Sequence, residues 1–332
     1  MKVVITGGAG FLGKKLARRL LQGAIAGADG KPERVSELVL FDVGKASGPG
    51  LDDQRVKTVA GDIANFATVQ SIVQGAATVF HFAAVVSAGA EADFDLGYRV
   101  NLDGTRKVLE ACRALGTNPR VVFTSSLAAF GGELPQAVTD ETALTPQTSY
   151  GAQKSIGEFL MRDYTRKGFL RGTSVRLPTI CVRTGLPNKA ASTWASSVVR
   201  EPLTGVDVVC PVKPGTIMVV LNPRKTVEAF LRLHDLPADA LGPSRTLLLN
   251  GINVTARELE QAVGRHAGNR KVGKVVWQHD PAIQKICDGW PQGIDSKRAR
   301  ALGFATDKDL DEIVRNFIAD DLDDQMKLAK AA

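Results

Sequence analysis

Cysteine, methionine, tryptophan and tyrosine are all scarce in this 332-residue chain, which holds four Cys, four Met, three Trp and three Tyr. Cys112, Cys181, Cys210 and Cys287 are far apart and form no Cys-x-x-Cys. They read as structural thiols of a reducing cytoplasm, and no metal site is expected. No apolar run approaches the length of a membrane span, and Lys2 is followed by only three apolar residues before Thr6 and the glycines. That start resembles no signal peptide, so a cytoplasmic protein with no membrane partner is expected. There is no internal repeat and no low-complexity tract. The net charge of +7 comes from dispersed basic residues without a recognition motif. This argues against nucleic acid and for an anionic cofactor and an anionic substrate.

A hydrophobic fraction of 44% and a charged fraction of 23% are ordinary globular values, and the length allows one extended α/β domain plus a smaller one. The first thirteen residues organise the rest. Val3, Val4 and Ile5 form a β-branched run suited to a buried parallel strand, and the glycines begin where it stops. Gly7 permits a sharp turn, Gly10 removes a side chain that would keep a pyrophosphate from the main chain, and Gly13 lets the next helix lie close on the strand. Phosphates would then sit on the helix N-terminus, at Phe11, Leu12 and Gly13. Leu12, Leu16 and Leu20 recur at helical spacing, with Lys14, Lys15, Arg18 and Arg19 on the other face. Together these features read as a dinucleotide site.

Glu37–Asp42 reads as the second strand. Asp42 at its end would accept hydrogen bonds from the adenosine ribose and repel a 2′-phosphate, which favours NAD over NADP. Arg55–Ala60 and Thr78–Phe82 read as the third and fourth strands, ended by Asp62-Ile63 and by Ala83-Ala84, whose small side chains let adenine and ribose pass the sheet edge. His81 lies inside an apolar run and reads as a core histidine. Asp93 to Leu115 reads as one long helix carrying Asn101. A fifth strand, Arg120–Thr124, runs into Ser125 and Ser126, and a new helix opens at Ser149-Tyr150-Gly-Ala-Gln-Lys154.

Tyr150 and Lys154 are four apart and project from one helix face. A phenol titrates near 10 in water, but a neighbouring ammonium favours the phenolate and brings it towards the range of a general base. Lys154 would supply that charge and hold the nicotinamide ribose, while Ser126 would bond the reacting oxygen.

Gly7-x-x-Gly10-x-x-Gly13, Asp42, Asp62-Ile63, His81-Phe-Ala-Ala84, Asn101-Leu-Asp-Gly-Thr105, Ser125-Ser126 and Tyr150-x-x-x-Lys154 come in an order that resembles the extended short-chain dehydrogenase/reductases, the NAD-dependent epimerase/dehydratase family. The resemblance implies a Rossmann-type doubly wound parallel sheet with a smaller C-terminal α/β substrate domain. Residues 1–180 would form the NAD-binding domain, and 181–332 mainly the substrate domain, with some segments returning to the first. It implies Tyr150 as acid/base, Lys154 as its partner and cofactor ligand, Ser126 as ligand of the substrate oxygen, and Asn101, Ser125, Pro178 and Ile180 among the cofactor contacts, with Thr179 beside the substrate. A homodimer is the candidate assembly.

Residues 178–226 hold six basic side chains, Arg183, Lys189, Arg200, Lys213, Arg224 and Lys225, against Glu201 and Asp207 alone. An anion is the expected guest, with Arg183, Arg200 and Lys213 the candidates and Arg200 favoured for its helical segment beside a proline. Val198–Pro211 followed by Lys213-Pro-Gly-Thr216 resembles members of the family that oxidise a four-carbon sugar acid at C2 with NAD. Nucleotide-sugar members usually carry an Arg in an Arg-Asp-Tyr-Ile-His-Val-like segment to grip the diphosphate, and the corresponding Gly215–Asn222 has none. The competing readings are a nucleotide-sugar epimerase or dehydratase and a cofactor-binding regulator without catalysis. Further on, Thr255-x-x-Glu258 has capping-box spacing, Asp280-Pro281 opens a short helix, and Leu310–Phe317 reads as a final amphipathic helix.

Overall fold

The computed structural model describes residues 1–185, 191–237 and 239–331. Lys189, one of the basic residues named above, lies outside them. Two compact units are built from interleaved segments, Met1–Ala129, Pro146–Leu177 and Val227–Leu248 in the first, and Phe130–Thr145, Pro178–Thr226 and Leu249–Ala332 in the second. Residues 227–248 are a segment that returns to the first unit, while the loop after the fifth strand, residues 130–145, belongs to the second.

The first unit is a seven-stranded sheet. Its strands are β1 (Lys2–Thr6), β2 (Glu37–Asp42), β3 (Val56–Ala60), β4 (Thr78–His81), β5 (Arg120–Ser126), β6 (Arg171–Leu177) and β7 (Thr246–Leu248), in the order β7-β6-β5-β4-β1-β2-β3. Every pairing is parallel. This is the doubly wound arrangement, and its direction of winding switches at β1, between β2 and β4. Val4, Val39, Val79 and Val121 share one core with α2 (Phe66–Val73), α3 (Gly104–Ala114) and α4 (Ser149–Arg166). Val3 and Ile5 point the other way and are buried too, as are Leu16 and Leu20 of α1 (Phe11–Gln22). Both faces are covered, so these strands read as continuous apolar runs, and each buried Val, Leu or Phe contributes about 1.5–3 kcal/mol.

The helix expected over residues 93–115 is interrupted. Helices Ser87–Ala92 and Phe94–Gly97 lead into a π-helical turn, Tyr98–Asp103, before α3. Asp93 restarts the chain by capping Leu96 N at 2.9 Å. The widened turn carries the buried Asn101, whose side chain accepts from Val85 N at 2.8 Å and donates to Val85 O at 2.9 Å and to Gln153 Oε1 at 2.7 Å. Asn101 is therefore a fully bonded clamp on the loop after β4. The buried His81 is likewise structural. Its ring nitrogens meet the Thr6 and Thr105 hydroxyls at 2.7 and 2.9 Å, and burial pushes it down to about 3, which keeps it neutral.

In the second unit, Thr179–Ile180 pairs in parallel with Ile217–Leu221, which pairs antiparallel with Ile252–Thr255. Its core gathers Trp194, Val198 and Val199 with Leu259, Val263, Ile313 and Phe317. The Thr255 capping box is formed, Asp280 caps the helix that opens at Pro281, and the final amphipathic helix runs Leu310–Asp320 before a last segment, Leu322–Ala331. Among the described residues no helix is long and apolar enough to cross a membrane.

Candidate active site

The turn after β1 has the shape a dinucleotide requires. Gly7 sits at φ +73°, and a Cβ there would lie 2.8 Å from Ala83 N, while one at Gly13 would lie 2.3 Å from Gly7 O. Neither position admits a side chain. At Gly10 the nearest atom is Gly7 O at 3.1 Å, so the demand for glycine is weaker inside the protein and arises on its exposed side, where a phosphate would approach. Helix α1 starts there with no side-chain cap and no acidic residue in its first turn, which leaves its leading N–H groups to a ligand. The chain thus fits the cofactor on steric and electrostatic grounds.

Asp42 holds this loop from the end of β2. Its Oδ2 accepts from Ala9 N at 3.0 Å and its Oδ1 from Val43 N at 2.8 Å. Asp62 accepts from Ala64 N at 2.9 Å and pairs with Arg99, and these contacts, the backbone bond foremost, hold its carboxyl below the usual carboxylate range. Ile63 is buried against Gly104, and Ala83 N donates to the Thr6 hydroxyl at 3.3 Å.

Tyr150 and Lys154 are brought to β5, whose last residue is Ser126, by the way α4 lands on that strand. Thr148 caps the helix by accepting from Gly151 N at 3.1 Å, and Gly151 lies so close to the chain after Ser126 that a Cβ would be 1.9 Å from Ala128 O. Ser126 Oγ accepts from Ala128 N at 3.1 Å. One turn on, the buried Lys154 donates from Nζ to Thr124 O at 2.8 Å, with Nζ 5.7 Å from the centre of the Tyr150 ring and 4.8 Å from that of Phe123. Burial pulls Lys154 down to about 7, opposed by the Glu158 charge. Ser125, expected among the cofactor contacts, turns inward and donates to Glu158 at 2.5 Å.

In the second unit, Ile180 and Pro178 are buried and Thr179 Oγ1 lies 3.1 Å from Met218 Sδ. The structure revises the choice among the basic residues. Arg200 is 3% exposed and its guanidinium is spent on Glu201, itself 8% exposed, at 2.5 Å, on Ser197 Oγ at 3.2 Å and on Arg183 O at 2.9 Å. It is a strut beneath Arg183 rather than a group open to a substrate carboxylate. Arg183 contacts Ser192 Oγ at 3.4 Å, and the Lys213 side chain is exposed. Arg224 is engaged by Asp320.

Three residues of this site escape a reading by motif. Gly151 and Thr148 set the landing of α4, and their signal was a small residue beside the tyrosine with a cap three before it. Glu158 lies four beyond Lys154, the same helical spacing that singled out Tyr150.

The pattern of the NAD dependent epimerase/dehydratase family matches residues 3–211, so the chain belongs to that family, the extended short-chain dehydrogenase/reductases. It is an NAD-dependent oxidoreductase, and among its relatives it is 50% identical to D-erythronate dehydrogenase of Cupriavidus necator over 96% of this chain and 98% of that one. D-erythronate dehydrogenase of Haemophilus influenzae is 41% identical over 97% and 100%. A solved structure from Agrobacterium tumefaciens, described as a nucleoside-diphosphate-sugar epimerase, superposes with a TM-score of 0.89 at 39% identity, covering 98% of this chain and 96% of that one.

Proposed function

We propose that the protein oxidises a small 2-hydroxy sugar acid, D-erythronate or a close analogue, at C2 to the 2-oxo acid. The observation that carries the substrate class is the segment Gly215–Asn222. Ile217–Leu221 is the middle strand of the second unit's three-stranded sheet, with Met218, Val219, Val220 and Leu221 buried, and it pairs with Thr179–Ile180. The segment carries no arginine to grip a nucleotide diphosphate. Relatives named for D-erythronate support the same choice.

In this reading the Tyr150 phenolate takes the proton of the C2 hydroxyl, stabilised by the Lys154 ammonium, and the Ser126 hydroxyl donates to the same oxygen. The Gly7–Gly13 turn and Asp42 would hold NAD, which would supply the hydride acceptor for C2. With Arg200 committed to Glu201, the exposed Lys213 is the first candidate to pair with the substrate carboxylate and Arg183 the second, a charge-assisted contact that orients C2. Thr179, between Pro178 and Ile180 of the nicotinamide segment, completes the substrate contacts. The test is NADH formation at fixed NAD across four-carbon sugar acids, UDP-glucose and UDP-galactose. D-Erythronate is expected to give NADH and the UDP-sugars no turnover. Conversion of a UDP-sugar without net NADH, seen by product analysis, together with no NADH from any sugar acid, establishes the epimerase reading that the Agrobacterium structure's description favours, and NAD binding without any turnover would leave the non-catalytic regulator.

Asp42 sets cofactor choice in the same reading. Asp42→Ser combined with Val43→Arg is expected to raise the NADP/NAD ratio of kcat/KM, since it removes the carboxylate facing a 2′-phosphate and places a cation at a position that is 84% exposed. NAD affinity should fall as well, because the Ala9 N–H loses its acceptor. A wild type that already prefers NADP overturns the assignment.

A further inference from the structure

We infer that Glu158 is a positioning residue of this site: from one helical turn beyond Lys154, its buried carboxylate supports the charged ammonium and ties α4 to β5 and β6 at the catalytic edge. This rests on the roles given to Tyr150 and Lys154 above.

The Glu158 side chain is 4% exposed. Its Oε1 accepts from Ser125 Oγ at 2.5 Å and from Arg176 Nε at 2.9 Å, and its Oε2 accepts from Arg176 Nη2 at 2.7 Å. These partners flank the chemistry. Ser125 lies between Thr124, whose carbonyl receives Lys154, and Ser126. Arg176 stands two residues before Pro178. A buried ion pair is seldom more stabilising than apolar side chains of the same volume, so its presence points to a use other than stability.

Lys154 needs such support. Placing an ammonium under α4 removes its hydration and gives back one carbonyl, at Thr124. The ionisable groups around it are Tyr150 and Glu158 on its own helix, the neutral His81 on β4, and Arg176 on β6 behind Glu158. Of these, Glu158 brings the negative charge that opposes the cost of burial. Without it Lys154 gives up its proton at lower pH, and the Tyr150 phenol then titrates nearer its ordinary range.

The experiment compares pH profiles of kcat/KM, at saturating NAD, for wild type, Glu158→Gln, Glu158→Asp and the double variant Glu158→Gln/Arg176→Met, on whichever substrate of the panel is oxidised. Glu158→Gln is expected to move the acid limb up by roughly one pH unit or more. Glu158→Asp, which keeps the charge, should leave the limb near that of wild type even where the rate falls. The double variant removes the pair together, so no unpaired guanidinium is left buried, and its limb should remain displaced. A double variant with the wild-type limb, or a uniform loss of rate without displacement, reduces Glu158 to a fold contact and overturns the inference. Failure of both Gln variants to fold overturns it too. Tyr150→Phe, run alongside, separates the two claims. If it keeps wild-type turnover, the function reading fails. If it is inactive while Glu158→Gln has a normal profile, only this inference does.

Discussion

Replacing Tyr150 with phenylalanine is expected to lower kcat by about a hundred- to ten-thousand-fold, the usual contribution of a general acid/base, while NAD binding survives. The substitution removes one oxygen from a half-buried ring, and the landing of α4 depends on other groups, the Thr148 cap and the close approach of Gly151 to Ala128. Cofactor affinity measured by fluorescence titration, together with turnover, tests the split. Near-normal turnover in Tyr150→Phe would place the base elsewhere, and a lost cofactor site would show that the ring supports structure.

Lys154→Met is expected to abolish most activity, weaken NAD binding and yet stabilise the empty protein at neutral and mildly acidic pH. The folded state depresses this lysine from 10.5 to about 7 through burial. A group depressed in this way carries its proton in the unfolded chain while the folded chain resists it, so its burial costs stability in full below about 7. The cost then fades as pH rises towards the unfolded value near 10.5. The methionine variant avoids that cost and forfeits the bond to Thr124 O, a loss of about 1–3 kcal/mol at every pH. The stability of variant minus wild type should therefore be largest below pH 7 and should shrink steadily between about pH 7 and 10. Denaturant midpoints at a series of pH values measure this directly. A difference that is constant with pH, or that grows, would show that Lys154 is not buried as a strained cation.

The two substitutions touch the same helix and probe opposite demands upon it. Tyr150 is held half in solvent, where a substrate can reach it, whereas Lys154 is sunk beneath it, where its charge acts strongly because little water screens it. In the proposed mechanism, activity is thus supported at the expense of stability. Glu158 is the group in the fold that limits this cost without removing the charge.

What the sequence alone determined is whatever depends on near neighbours in the chain. Gly7, Gly10 and Gly13 between a β-branched run and an amphipathic helix define the phosphate turn, because each glycine answers a local steric demand. Asp42 and Asp62 follow from strand ends, Tyr150 and Lys154 from the helical repeat, and the caps at Thr255 and Asp280 from their own first turns. The parallel order of the first strands follows the same logic where α1, α2 and α3 join one apolar run to the next, while a loop alone joins β2 to β3.

Tertiary structure decided what depends on partners distant in sequence. Arg200 looked available by its position, yet its guanidinium is buried on Glu201, an adjacent residue that a regular helix would direct elsewhere. Asn101 read as one position of a long regular helix, yet a π-helical turn brings it against Val85 and Gln153. Residues 227–248 return to the first unit because Thr246–Leu248 finds its hydrogen bonds along Ser174–Arg176, a pairing that spacing does not encode. Glu158 acquired its meaning only when β5 and β6 delivered Ser125 and Arg176 to one carboxylate. Burial and long-range pairing are properties of the assembled chain, and they set which of its charged groups meet solvent and which meet one another.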